Sequence, residues 1–335
     1  MRLFCQILHF ACLIISTALT TGCMTTPSSF ETVTAIGAPT ARHEATFVAH
    51  HGKLYLIGGR GIKPVDEFDP VTRRWRERAT PPLELHHVQA VSYGDAIYLI
   101  GAMTGNYPNE TPLERVLKYF PSEDRFKWGS EIPRPRRRGA AGVAVYNDKI
   151  YVVGGITNGH VGGARAWLDE FDPRRGSWRV LPDAPHARDH LQAAVAGDKL
   201  YVFAGRRSSQ GTGQTMELTE RYGNVFDFTL EKWAAVSEAM AIPTERAGNM
   251  AIAWHDQIVV GGGESVAHVV AHNEIEVFDA GSQTWQVWPS LQTGRHGTGF
   301  AIVDGYLYTA SGSGNRGDKP ELTSIERMAL PPPKP

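Results

Sequence analysis

Five arginines stand at equivalent places along this chain of 335 residues. Arg42, Arg138, Arg188, Arg246 and Arg295 each lie sixteen residues before a recurring glycine-pair position, and Leu85 holds the sixth such place. The next two residues read His43-Glu44, His86-His87, Gly139-Ala140, Asp189-His190, Ala247-Gly248 and His296-Gly297. Arg60 and Arg206 directly follow glycine pairs. Guanidinium forks match carboxylates and sulfates in plane and spacing. Imidazole gains charge as pH falls through its unperturbed value near ~6.5, and it also suits zinc, copper or iron. Three chemistries are open to such a set: a polar lining with no ligand, a site for a small anion, or a His-rich metal site. No His-x-x-His or His-Glu-x-x-His spacing pre-forms a metal site, so the sequence assigns no metal and no cofactor.

Other chemistries are excluded more simply. The three cysteines are Cys5, Cys12 and Cys23, all close to the N-terminus. The rest of the chain has no thiol nucleophile, disulfide or thiolate metal site. No Gly-rich phosphate loop or Ser-His-Asp order appears. A net charge of -1 gives no reason to expect a nucleic acid or an anionic membrane as partner.

The elements that position these residues are repeats. One run occurs six times: Lys53 to Gly59, Ala96 to Ala102, Lys149 to Gly155, Lys199 to Gly205, Gln257 to Gly263 and Tyr306 to Gly312. Each is a β-branched and aromatic strand stopped by glycine or a small residue. A second anchor pairs Phe-Asp, or Tyr119-Phe120, with a later aromatic: Phe68 with Trp75, Tyr119 with Phe126, Phe171 with Trp178, Phe226 with Trp233, Phe278 with Trp285. The step from anchor to next glycine pair is nearly constant, from 26 (Trp75 to Gly101) to 29 (Trp233 to Gly262). The step from glycine pair to anchor varies from 17 (Gly58 to Trp75) to 29 (Ala204 to Trp233). Variable loops on a fixed scaffold are where function usually sits. Here they are 103–112, 156–167, 206–223 and 264–273.

These paired motifs resemble the kelch repeat over roughly residues 30 to 328. The resemblance implies an all-β fold, a six-bladed kelch β-propeller with four strands per blade around a channel. It implies that the arginine places are in part framework, bonding nearby backbone. It also implies that the residues after them lead into the innermost strands at one channel mouth, with Gln89 and Gln192 two positions further along. The variable loops would stand on that face. Similar kelch adaptors use the place of Arg60 and Arg206 to hold acidic peptides. The sixth copy lacks an aromatic anchor and ends in a proline-rich tail, 329–335. Prolines cannot make a paired strand. Phe30 lies 28 residues before Gly58, so Phe30 to Ala35 is predicted to supply the outer strand of the last blade and close the ring.

The N-terminus gives an address. Arg2, an apolar run from Leu3 to Ala18, and Thr20-Thr21-Gly22-Cys23 follow the order of a secretory signal. Gly22-Cys23 resembles the end of a bacterial lipobox, implying lipidation of Cys23; cleavage after Ser16-Thr17-Ala18 is the competing reading. The expected organisation is a lipoprotein-type signal peptide (1–22), a linker (23–29), the propeller (30–328) and the tail. The expected place is the periplasm or cell surface, with a lipid anchor in the outer membrane. The expected function is a binding module for an anionic ligand, an acidic sugar or acidic peptide, at a mouth bearing Arg42, His43, Arg60, His87, Arg138, Arg188, His190, Arg206, Arg246, Arg295 and His296. The partner is then a small anion, carbohydrate or protein. The alternative is an enzyme resembling bacterial sialic acid mutarotases, an isomerase on an acidic sugar, with Glu44, His87 or His190 as acid–base group. Resemblance to the galactose oxidase family stops at the repeat, since no cysteine is available for its thioether-linked tyrosine.

Overall fold

The computed structural model describes residues 28–332. It contains six four-stranded antiparallel sheets. Blade 1 uses Ala45–His50, Lys53–Gly58, Asp66–Asp69 and Arg74–Glu77. Blades 2 to 5 begin with innermost strands Ala90–Tyr93, Gly142–Tyr146, Ala193–Ala196 and Met250–Trp254. The innermost strands meet in chain order and the last meets the first, so the blades form a closed six-bladed propeller. Among the described residues no helix is long and apolar enough to cross a membrane.

The sixth blade takes Phe300–Val303, Tyr306–Ala310 and Ile325–Ala329 from the C-terminal part. Its outer strand is Glu31–Thr32, antiparallel to the third, with Glu31 opposite Arg327 and Thr32 opposite Glu326. The Val33 amide adds a bond to Ile325 O at 2.9 Å. Phe30 is buried with Met250, Val259, Trp288 and Met328, the place an aromatic anchor fills elsewhere. The ring is closed as the spacing predicts. The short strand is followed by a bridge from Ile36 to Arg74, which carries the chain into blade 1.

The repeat residues each have a visible task. Asp69 Oδ1 accepts the Val71 and Thr72 amides, and Asp172 and Asp227 do the same for the residues two and three after them. These Asx turns swing the chain into the outer strand. Phe68 lies opposite Trp75 in the ladder with ring centroids 4.9 Å apart, and Phe171 repeats this with Trp178 at 4.7 Å. The glycine pair joins blades. The second residue donates its amide to the arginine-place carbonyl of the next blade: Gly59 to Leu85, Gly155 to Arg188, Gly205 to Arg246, Gly263 to Arg295 and Gly312 to Arg42. Gly58 must lack a side chain, because a Cβ would sit 2.5 Å from Leu85 O.

A second set of backbone bonds runs round the channel. The amides of His87, Ala140, His190, Gly248 and Gly297 each donate to the equivalent carbonyl of the preceding blade, at 2.8–3.1 Å, and Ala45 N closes the circuit on Gly297 O. These bonds require an unusual backbone. Glu44, His87, Ala140 and His190 have φ between 51° and 54°, and Gly248 and Gly297 have φ of 62° and 64°.

Candidate functional site

The left-handed ring aims its side chains at one mouth of the channel. Three blades put a small residue there: Ala140, Gly248 and Gly297. The other three put Glu44, His87 and His190. A Cβ in the left-handed region costs roughly 1–2 kcal/mol per residue, which glycine avoids. Immediately below, Gln89 donates to Ala193 O and accepts from the Val143 and Ala193 amides. Gln192 donates to Thr298 O and accepts from Ala251 N. These two amides bolt the innermost strands together across the channel. The free space at this level falls to about 30 Å³, so the mouth above is a nearly blind cup.

The cup is a cavity of about 630 Å³. Its floor carries Glu44 and His87, and its walls carry His43, Arg60, Tyr107, His160, Arg206, Met216, Glu264, His296 and Asp318. All four long loops reach it, as the resemblance implies. Two of them are stiffened by small hairpins, Met103–Thr104 with Thr111–Pro112 and Ile156–Asn158 with Gly162–Ala164. Loop meets loop closely: Gly159 has φ +50°, and a Cβ there would lie 2.4 Å from Pro108 O.

The cup holds both signs of charge. Arg60 bonds Glu110 at 2.5 Å. Arg206 bonds Glu264 at 2.6 Å, with both side chains buried. His43 meets Glu321 at 2.7 Å. His296 Nε2 lies 2.9 Å from Asn315 O and 2.8 Å from Gly317 O, and 3.5 Å from Glu264. Burial pushes Glu264 up, but His296 and Arg206 outweigh it and hold its carboxyl down at about 2. Burial likewise opposes ionisation of Glu110, but its bonds to His160 and Arg60 hold it well below the usual range. Burial, then neighbouring His190 and His86, keeps His87 well below ordinary imidazole. Burial and Arg206 lower His190, and burial and Arg60 lower His86 to about 4. The sequence expectation that imidazoles gain charge as pH falls through ~6.5 therefore does not suit His87 or His190. Desolvation disfavours their charged forms.

The repeated arginines are placed differently from the expectation. Arg42, Arg138, Arg188, Arg246 and Arg295 are all buried, and each turns into its own blade. Arg42 bonds Gly58 O, Pro64 O and Asp66. Arg138 bonds Gly154 O, Val152 O and Asp169. Arg188 bonds Ala204 O, Tyr222 O and Asn224. Arg246 pairs with Glu276 and Arg295 with Glu326. None of the five lines the mouth cavity. Their guanidinium donors satisfy carbonyls and carboxylates that the blades bury, and a buried polar group without a partner costs stability. Of the predicted ligand-binding residues, His43, Arg60, His87, Arg206 and His296 line the cavity, and His190 lies beside His87 at its floor, with ring centroids 4.7 Å apart.

The fold agrees with comparison to known proteins. The KLHDC2/KLHL20/DRC7 Kelch-repeats domain matches residues 122–312. The chain belongs to this kelch-repeat family. The Kelch-like protein terF of Aspergillus terreus is 26% identical to this kelch propeller over 321 residues, covering 90% of the chain and 66% of terF. The leucine-zipper-like transcriptional regulator 1 homolog of Drosophila melanogaster is 25% identical, covering 84% of the chain and 31% of that protein. The kelch chain thus spans just under two thirds of one relative and about a third of the other. The structure of YjhT is similar with a TM-score of 0.72 at 17% identity, covering 87% of this chain and 95% of that one. That likeness is one of fold.

Sequence reasoning missed three residues that shape the cup. His160, Glu110 and Glu264 lie in the variable loops, where no repeat position marks them.

Proposed function

We propose that this kelch propeller is an exported binding module that takes a small acidic sugar in the mouth cavity. The observation that carries the reading is the ring position of Glu44, His87 and His190. Glycine serves that position in two blades without strain, so long polar side chains in a left-handed backbone are held there against a cost of order 1–3 kcal/mol each. Ala140 bears the same backbone cost with no polar group, so it is the polarity of the other three that a ligand explains. The mixed charge of the cup narrows the ligand. Arg60 and Arg206 offer donors for a carboxylate, and Glu44, Glu264 and Asp318 offer acceptors for hydroxyls. A polyhydroxylated acid suits this set better than a sulfate or an acidic peptide, which bring few donors. The predicted signal and Cys23 anchor support an exterior address; they fall outside the described residues.

The test is calorimetry on chelator-treated protein with sialic, glucuronic and sulfated sugars and a neutral hexose. Micromolar binding of one acidic sugar is expected, weakened at least tenfold in Arg60→Ala. Loss of one charge-assisted bond removes ~1.5–3 kcal/mol, enough for that factor. Equal weak heats from both proteins, or from the neutral hexose, would return the cup to a polar lining.

A second reading is an isomerase on the same sugar. Its support is His87 Nε2 at 3.3 Å from Glu44 Oε2, an acid–base pair at the cavity floor. Exchange NMR of the bound sugar's anomers distinguishes the two: catalysis lost in Glu44→Gln would favour the enzyme.

A further inference from the structure

We infer that His87, His160 and His190 hold one divalent transition-metal ion, zinc or copper, at the floor of the mouth cavity. The three come from different places: two ring positions, before blades 2 and 4, and the tip of the blade 3 loop. One ring nitrogen of each lies within 4.8 Å of the other two, and all three residues are buried. The site does not depend on the sugar of the previous reading.

The hydrogen bonds around the rings decide which nitrogens are bare. His160 Nδ1 faces a Glu110 oxygen at 2.9 Å, and His190 Nδ1 faces Asp189 Oδ1 at 2.5 Å. A carboxylate only accepts, so each Nδ1 carries the proton and each neutral ring keeps a lone pair on Nε2. Those two Nε2 atoms lie 3.0 Å apart. Two lone pairs at that distance repel unless a positive centre lies between them. His87 reaches the same state through a neighbour. Gly105 O can only accept, so His86 Nε2 donates to it at 3.0 Å. His86 Nδ1 then accepts from His87 Nδ1 at 2.7 Å. That leaves His87 Nε2 bare as well, 3.3 Å from Glu44 Oε2.

The His160–His190 pair and the surroundings of the rings fit a metal, and His87, within 4.8 Å of both, completes the set by a small inward movement of its ring. Zinc binds imidazole nitrogen at roughly 2.0–2.1 Å, so two ligands on one ion stand about 2.8–3.4 Å apart between right-angle and tetrahedral arrangements. The His160–His190 separation lies within that span. Metal-bound histidines usually give their other nitrogen to a carboxylate or carbonyl, which fixes ring and tautomer. Glu110 is itself fixed by Arg60, and Asp189 by the Ser208 amide and hydroxyl at 2.8 and 2.7 Å. Three imidazoles leave a coordination position for water or for an oxygen of an acid in the cavity. The absence of local His spacing in the sequence is no obstacle, because the ligands are assembled by the ring and a loop. The rival occupant is a proton shared between His160 and His190, with a second between His87 and Glu44.

The test uses tag-free protein stripped with chelator and titrated with zinc(II) or copper(II) alone. One equivalent should bind, copper more tightly than zinc, and the copper EPR spectrum should show nitrogen coupling. His160→Ala and His190→Gly should each weaken binding at least 100-fold. His190→Gly keeps the fold testable, because Gly248 and Gly297 already occupy the same ring place. Glu110→Gln should weaken binding 10- to 100-fold. No stoichiometric binding would overturn the site and leave the shared proton. So would affinity unchanged in the histidine variants, with the ion on exposed histidines such as His51 or His268. Sugar binding by stripped protein is scored separately, so either idea can fail alone.

Discussion

Phe30→Ala tests the closure of the ring. Phe30 is 2% exposed and fills a pocket made by blades 5 and 6. Its strand contributes only two ladder pairs, Glu31 with Arg327 and Thr32 with Glu326, so the aromatic wedge must supply most of the hold. Truncating a buried Phe to Ala typically costs about 3–5 kcal/mol, the transfer of the ring plus the cavity left behind. The observed loss will be smaller if the short strand detaches before the rest unfolds, because the global cost is then capped at the cost of local opening. Urea unfolding gives the global value, and amide exchange gives the local one. A loss of about 3 kcal/mol is expected, with protection falling first at the Val33 amide, which bonds Ile325 O. Glu31→Ala is the control; its exposed side chain should change stability by less than about 0.5 kcal/mol. A loss below about 1 kcal/mol in Phe30→Ala, with exchange at Val33 unchanged, would mean that the ring does not rely on its N-terminal strand.

The framework role of the arginines predicts that Arg138→Met lowers stability by about 2–3 kcal/mol, because it removes the bonds to Gly154 O and Val152 O and leaves the buried Asp169 carboxylate with Arg136 alone. It should leave sugar and metal affinity unchanged by calorimetry. Glu264 contributes to the slope of the acid limb. Its folded value of about 2 lies below the ordinary ~4.3 of an unfolded chain, so its stabilisation is complete above ~4.3 and fades as pH falls towards 2. Glu264→Gln should be less stable by roughly 3 kcal/mol at neutral pH and lose less on acidification, as urea midpoints at pH ~7, ~5 and ~3 will report. If Cys23 is lipidated, Cys23→Ser should move the protein from the membrane to the soluble periplasmic fraction or block processing. A wholly soluble wild type beginning at Leu19 would favour ordinary cleavage.

The fold was legible because its joints are chemical. The glycine pair marks the amide that bonds the next blade, Asp69 and its equivalents mark the turn, and the aromatic pairs mark the third and outer strands. Phe30 could be assigned from distance alone, since the closing strand obeys the same spacing. The small hairpins around Met103 and Ile156 had no such mark; two- and three-residue strands carry too little pattern to read. The site was only half legible, and the misreading has a physical cause. Arg42, Arg138, Arg188, Arg246 and Arg295 looked like converging donors because they recur. Recurrence in a propeller instead reflects a need that blades share, here in five of the six, a donor for groups buried around the end of the second strand.

Function in such a ring is carried by what breaks the repeat. At the left-handed position, Gly248 and Gly297 show what the backbone circuit needs, a residue that adopts positive φ without strain, and Ala140 bears the strain with no polar group. Glu44, His87 and His190 meet the same backbone demand with large polar groups, and two of them, His87 and His190, meet His160 in a triangle of rings 4.7–5.0 Å apart. A side chain that is strained, buried and surrounded by groups fixing its proton is not placed for the fold, which would be easier without it. His160 and Glu110 extend the same logic into the loops. The loop lengths follow no period, yet Gly159 packs against Pro108 so tightly that one loop's histidine meets the other's carboxylate. An imidazole cluster assembled from two strained ring positions and one interlocked loop has a defined geometry before any ligand arrives. That preorganisation is what a metal or small-ligand site requires, and a solvated polar lining does not need it.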